Sequence, residues 1–211
     1  KVSASKLSVI MDIKIDEIYS LLEPALYSGL IFKRDEKEGN SAETAFFFRH
    51  DNIQQTITDL ISENDKKDAH INIGKKLYSH FQDTDSEILY EIVYHFNEGA
   101  EYLSNEEKHV IAELNLKAAK NAIKSNSGSS ALNFLENADA LLGENKWSES
   151  PELTTEIYIE SGYSALISGD YEKVRDTTTK ILLHNKDMLS QVRAYELLIS
   201  SQIAGNKIES S

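Results

Sequence analysis

The sequence predicts a mainly α fold in two parts, a small helix–helix–hairpin domain followed by a series of paired helices. Three observations carry that expectation. Apolar residues recur at helical spacing through most of the 211 residues. Two short apolar runs, one ending in three consecutive Phe, flank a polar stretch in the manner of a β-hairpin. The later helical segments are joined by short polar connections, which force neighbouring helices to run antiparallel.

In chain order, residues 4–10 and 16–30 are expected as two short helices, the second carrying a stripe of Ile15, Ile18, Leu21, Leu22, Leu26 and Leu30. Pro24 should bend that helix or free one backbone bond, and Ser28-Gly29 offers a C-terminal stop. A strand begins near Leu30. The run Leu30-Ile31-Phe32-Lys33 and the run Ala45-Phe46-Phe47-Phe48 read as its two arms, with residues 34–44 forming a long charged tip around Gly39-Asn40. Asp51 is placed to cap a helix through Ile53, Ile57, Leu60 and Ile61, and Asp65 to start another through Ala69, Ile73, Leu77 and Phe81. Helix, helix, hairpin is the order of a winged helix, so residues 1–82 are expected as a winged-helix-like domain ending near Gln82 to Ser86.

Residues 83–211 then read as an α–α superhelical, tetratricopeptide-like array, with helices over 87–97, 105–124, 129–142, 152–167, 171–184 and 186–204. Sliding residue 131 onto 174, an offset of 43 residues, lays Ala131 over Val174 and Ala138 over Ile181. The turn Ser168-Gly169-Asp170-Tyr171 resembles the hairpin of tetratricopeptide repeats, although their full Trp, Leu-Gly, Tyr pattern and 34-residue period are missing. Gly162 in mid-helix marks either close helix–helix approach or a local weakness. Tyr90, Tyr94, Phe96, Tyr158 and Tyr163 either fill gaps between helices or line a groove, and Trp147 lies in a polar loop before Pro151 that folds back over a helix pair.

Chemistry is constrained mostly by what the sequence lacks. Zero Cys removes disulfides, thiolate metal sites and a cysteine nucleophile together. No two of the six His share the i, i+4 spacing of a helical metal-ligand pair. Gly74-Lys75-Lys76 lacks both the upstream Gly and the following hydroxyl of a phosphate-binding loop. No G-x-S-x-G elbow occurs, so no constellation supports an enzyme. Charge is uneven: residues 1–81 hold eleven Lys and Arg against thirteen Asp and Glu, the remainder eleven against twenty-two. An acidic surplus repels phosphate backbones, which argues against nucleic acid as a partner of the array. No apolar run reaches the roughly 20 residues of a membrane helix and no signal peptide is apparent. Together with the missing Cys, this reads as cytoplasmic. The absence of an initial Met and the polar Ser-Ser end read as a piece cut from a longer protein.

The run Phe46-Phe47-Phe48-Arg49-His50-Asp51-Asn52-Ile53-Gln54-Gln55, with Leu60-Ile61 and Ala69-His70 through Gly74 after it, resembles the segment following the nucleotide-binding module in large AAA-type predicted ATPases. These are the STAND-class ATPases of multidomain serine/threonine kinase and hybrid histidine kinase sensors, related to ATP-binding transcriptional activators of the LuxR type. Tyr94-His95-Phe96-Asn97-Glu98-Gly99-Ala100, the stretch 112–122 and Leu142-Gly143-Glu144 extend the resemblance over residues 4–205. It implies a non-catalytic regulatory segment that couples nucleotide state or partner binding to a kinase or transcription output. It implies His50 and Asp51 as a nucleotide-sensing pair beside Arg49, where the class commonly carries an apolar residue. A strand-to-helix cap is the alternative role for the pair. It further implies no cofactor within the segment itself. ATP or ADP and Mg²⁺ belong to the longer protein, with the phosphate-binding loop upstream of Lys1. The implied partners are the upstream nucleotide-binding domain, the downstream output domain and a protein or peptide. The alternative reading is a DNA-binding winged-helix transcriptional regulator using the helix over residues 16–28, which offers Asp16, Glu17 and Glu23 but no Arg.

Overall fold

The computed structural model describes residues 1–38, 41–81 and 86–209. Among them are eleven α-helices and three short strands, and the chain divides into two compact units, Lys1–Tyr102 and Leu103–Ser211.

Unit 1 opens with β1 (Val2–Ser3), α1 (Ala4–Met11) and α2 (Ile15–Tyr27), then β2 (Ile31–Glu38) and β3 (Ser41–Phe48). The strands form an antiparallel sheet in the order β1-β3-β2, with Val2 opposite Phe46 and Ile31 opposite Phe48. Strand β1 escapes sequence reading because two residues carry no periodicity. The charged stretch is ladder, not a long tip: β2 and β3 stay paired from Ile31–Phe48 out to Glu38–Ser41. A two-stranded arm that faces water tolerates alternating charge, and Thr44 Oγ1 donates to Asp35 Oδ1 across it at 2.8 Å. The expected tip residues Gly39-Asn40 lie outside the described residues.

Helix α2 continues past Pro24, whose missing N–H removes one bond without ending the helix. It stops at Gly29, where φ is +72°. There the Gly29 N–H donates to Leu26 O at 3.1 Å and the Leu30 N–H to Ala25 O at 3.0 Å, a Schellman closure. The expected six-residue stripe splits. Ile18 is fully buried with Ala4, Ile31 and Phe46, and Leu22 and Leu26 pack against that cluster, while Ile15, Leu21 and Leu30 stay exposed. Burying a side chain such as Ile18 is worth about 1.5–3 kcal/mol.

Helices α3 (Asp51–Asp59), α4 (Glu63–His80) and α5 (Ser86–Glu98) complete unit 1 with a single 3₁₀ turn at Ala100–Tyr102. Helix α4 starts at Glu63 and not at Asp65, because Ser62 Oγ caps it by accepting the Asp65 N–H at 3.2 Å. The domain boundary expected after residue 82 falls at 82–85, outside the described residues; the division between units lies between Tyr102 and Leu103. Helix α5 packs on α4, and a Cβ added at Gly74 would meet the Phe96 ring at 3.2 Å.

Unit 2 comprises α6 (Asn105–Lys124), α7 (Gly128–Leu142), the short α8 (Lys146–Glu149), α9 (Pro151–Ser168), α10 (Tyr171–His184) and α11 (Met188–Glu209). A capping box opens α6: Ser104 Oγ accepts the Glu107 N–H at 3.2 Å, and Glu107 Oε2 accepts the Ser104 N–H at 2.9 Å. Each helix packs chiefly on the next long one, α6 on α7, α7 on α9, α9 on α10 and α10 on α11. The turn between α9 and α10 behaves as its residues require. Gly169 takes φ +75°, and Asp170 Oδ1 accepts the Lys173 N–H at 3.0 Å before Tyr171 opens α10. Ala131, Val174, Ala138 and Ile181, aligned by the 43-residue offset, are all fully buried. Gly162 marks close approach, since a Cβ there would sit 2.8 Å from Leu197 Cδ1 and 3.3 Å from Thr177 Oγ1. Trp147, expected in a loop, lies in α8 and stacks on His184 at 4.9 Å between ring centroids.

Candidate functional site

Arg49, His50 and Asp51 form the junction between β3 and α3, and all three are exposed. The Arg49 N–H donates to Leu30 O at 3.0 Å and its Nε to Gly29 O at 3.0 Å, so Arg49 clips the end of β3 to the turn that closes α2. His50 holds the N-cap position with φ −142° and ψ 144°, and its side chain makes no capping hydrogen bond. Its carbonyl accepts the Ile53 N–H at 3.1 Å. Asp51 was expected as the cap and is instead the first helical residue, because His50 already takes the extended backbone that a cap needs. In that first turn the Asp51 carboxylate faces the positive end of the α3 dipole. The junction therefore combines an exposed imidazole with the outward N–H groups of a helix start, donors suited to an anion.

A second pair is invisible to spacing rules. His70 of α4 and His95 of α5, 25 residues apart, meet with Nδ1 to Nδ1 at 3.1 Å. One ring donates and the other accepts, so at least one imidazole is neutral. Tyr94 packs edge-on to His70 with centroids 5.6 Å apart. Burial pushes the His95 imidazolium down to about 4 from 6.5; the neighbouring His70 adds to the effect and Glu91 opposes it. Only the antiparallel register of α4 and α5 creates this contact. Among the described residues no group of three or more His, Asp or Glu gathers as metal ligands.

Two clefts open on unit 1. One, of about 640 Å³, lies between the α1–α2 turn and α4, where Lys76 Nζ is 3.2 Å from Asp12 Oδ2. The other, of about 480 Å³, is lined by Glu36, Glu43, Glu87 and Glu91 with Lys1 and Lys6, and Lys6 Nζ is 2.5 Å from Glu91 Oε2. Neither is lined by residues 49–51.

In unit 2, α6, α9 and α11 share an ion cluster. Glu156 accepts from Lys120 Nζ and from an Arg193 η nitrogen, both at 2.8 Å, and Glu160 lies 4.0 and 3.9 Å from the same two cations. Burial pulls the Glu156 carboxyl upward, but the hydrogen bonds from Lys120 and Arg193 outweigh it and hold it below its ordinary value. Glu160, without such bonds, is raised by burial, with Glu156 adding and the cations opposing. The aromatic residues weighed as a groove lining divide between the units, Tyr90, Tyr94 and Phe96 in unit 1 and Tyr158 and Tyr163 in unit 2. Phe96 is buried beneath Gly74 in unit 1, whereas Tyr158 is buried in unit 2, where burial and Asp139 raise its phenol. Among the described residues no helix is long and apolar enough to cross a membrane. Comparison with protein-family models, with curated proteins and with solved structures finds no match to this chain.

Proposed function

We propose that the chain is a non-catalytic regulatory segment of a multidomain signalling ATPase, with unit 1 as a winged helix that senses nucleotide and unit 2 as a tetratricopeptide-like array. The observation that carries this reading is the order β1-α1-α2-β2-β3, with β1 paired to the central β3, leading directly into an exposed Arg49–Asp51 junction. Arg49 holds the junction in place through Gly29 O, His50 offers its ring to a phosphate oxygen of ADP, and Asp51 stabilises the helix that presents it. The nucleotide and Mg²⁺ sit on an upstream domain of the longer protein. The layered helices of unit 2 supply a surface for a protein or peptide, and a downstream kinase or transcription domain reads the result. The DNA-binding alternative is disfavoured by α2, whose first turn carries Asp16 and Glu17.

Replacing His50 by Ala in the full-length protein that carries this chain is expected to change ADP retention or basal output. Unchanged values of both would remove the sensor role. Salt-sensitive binding of duplex DNA by the chain alone would favour the transcription-factor reading instead.

A further inference from the structure

Two imidazole nitrogens 3.1 Å apart are placed either to share a proton or to share an ion. His70 projects from α4 and His95 from α5, the contact is part-buried, and both rings contribute the same atom, Nδ1. An ion at the roughly 2.0–2.1 Å of a zinc–imidazole bond from each nitrogen would subtend an N–metal–N angle of about 95–102°. That lies between the right angle of cis ligands and the tetrahedral value of about 109°, so neither helix has to move. Imidazole suits Zn²⁺, Cu²⁺ and Ni²⁺, whereas Mg²⁺ and Ca²⁺ take oxygen ligands. The neighbouring charges permit a cation. Lys67, one turn before His70, is held by Glu101 at 2.6 Å, and Lys6 is held at 2.5 Å by Glu91, one turn before His95. Among the described residues neither ring takes a hydrogen bond at Nε2, which leaves that atom free to carry the proton when Nδ1 binds a metal.

The geometry points to a Zn²⁺-binding site that bridges α4 and α5, with His70 Nδ1 and His95 Nδ1 as its two protein ligands and water in the remaining positions. In the metal-free pair one ring is protonated at Nδ1 and donates to the other. On binding, that proton leaves Nδ1 for water and water returns one to Nε2 of the same ring. No net proton is released, and both rings end as the Nε2–H tautomer. Among the described residues no third His, Asp or Glu joins the group, so the ion has fewer protein ligands than the three or four of most zinc sites. The affinity is accordingly micromolar, and the bound waters are exchangeable. The ion clasps one helix of unit 1 to the next, a role independent of any nucleotide response at His50.

Calorimetric titration of the whole, chelator-washed chain with Zn²⁺ at about pH 7.5, where an ordinary imidazole is neutral, should show saturable binding. His70→Ala and His95→Ala should each weaken it by about tenfold or more. His109→Ala removes a histidine that has its own carboxylate nearby, Glu113 at 3.6 Å, and should leave this affinity unchanged. Because His95→Ala empties a part-buried position, the wild-type chain supplies a second readout that needs no substitution. Nitrogen NMR of its imidazoles should show both Nδ1 resonances of His70 and His95 shifting as Zn²⁺ is added, with one ring changing from the Nδ1–H to the Nε2–H tautomer. Absence of saturable binding, full affinity in either His70→Ala or His95→Ala, or shifts confined to other imidazoles would each overturn the proposal.

Discussion

Acidification should destabilise unit 1 through His95, and the size of the effect follows from its surroundings. In the unfolded chain the imidazole protonates at its ordinary 6.5, whereas in the fold burial and the contact with His70 hold it at about 4. Between those values the unfolded state binds more protons, so stability rises with pH and falls on acidification. The loss begins as pH drops below about 6.5 and levels off below about 4. Because the His95 ring is only half-buried, solvent screening reduces the effect to about 1–2 kcal/mol over the full window, of which roughly half is felt between about pH 7.5 and about pH 5.5. That upper window is the informative one, because carboxylates remain ionised there. Urea unfolding at the two pH values, followed by hydrogen exchange of the α4 and α5 amides, measures the change. His95→Gln keeps a hydrogen-bonding side chain without the titration and should remove that part of the pH dependence. The other five His are common to both proteins, so the difference between them reports the His95 imidazole together with its contact to His70. If wild type and His95→Gln lose stability equally between the two pH values, the buried, withheld proton is not the cause.

Gly162→Ala tests the close passage of α9 past α11. Ala gains about 1 kcal/mol in helix propensity, but its Cβ would lie 2.8 Å from Leu197 Cδ1, so a net loss of about 1–2 kcal/mol is expected in denaturant unfolding. Ser104→Ala removes one arm of the α6 capping box and should cost about 1 kcal/mol, read as faster amide exchange in the first turn of that helix.

What the sequence made legible was what depends on neighbours in the chain. The α9–α10 turn followed from Gly169, Asp170 and Tyr171 alone, because a left-handed stop and an Asp cap are decisions made within five residues. The stop at Gly29 is of the same kind. The misread features depend on pairing. Strand β1 exists only because β3 lies beside Val2 and Ser3, and the charged residues 34–38 are strand only because β3 continues to pair with them. Asp51 lost the cap to His50 by a single residue, a shift that the identities of the two side chains do not decide.

The candidate site divides along the same line, which bears on how its parts are weighed. Arg49, His50 and Asp51 are consecutive, so sequence alone brings them together, yet what distinguishes their roles is the tertiary contact from Arg49 Nε to Gly29 O. That contact ties the junction to the α2–β2 turn. Removing it with Arg49→Gln would loosen the start of α3, leaving the backbone bond from the Arg49 N–H to Leu30 O, without touching the imidazole. His50 and Arg49 thus separate by experiment: loss of nucleotide response in His50→Ala but not in Arg49→Gln identifies the ring as the responding group. Equal loss in both identifies the geometry of the junction. The His70–His95 pair has no such local signature, because 25 residues and one helix-to-helix register stand between its two halves. Histidines matched by fold geometry and not by spacing are therefore where a sequence search for titratable pairs fails, and His95 is one whose protonation the fold changes.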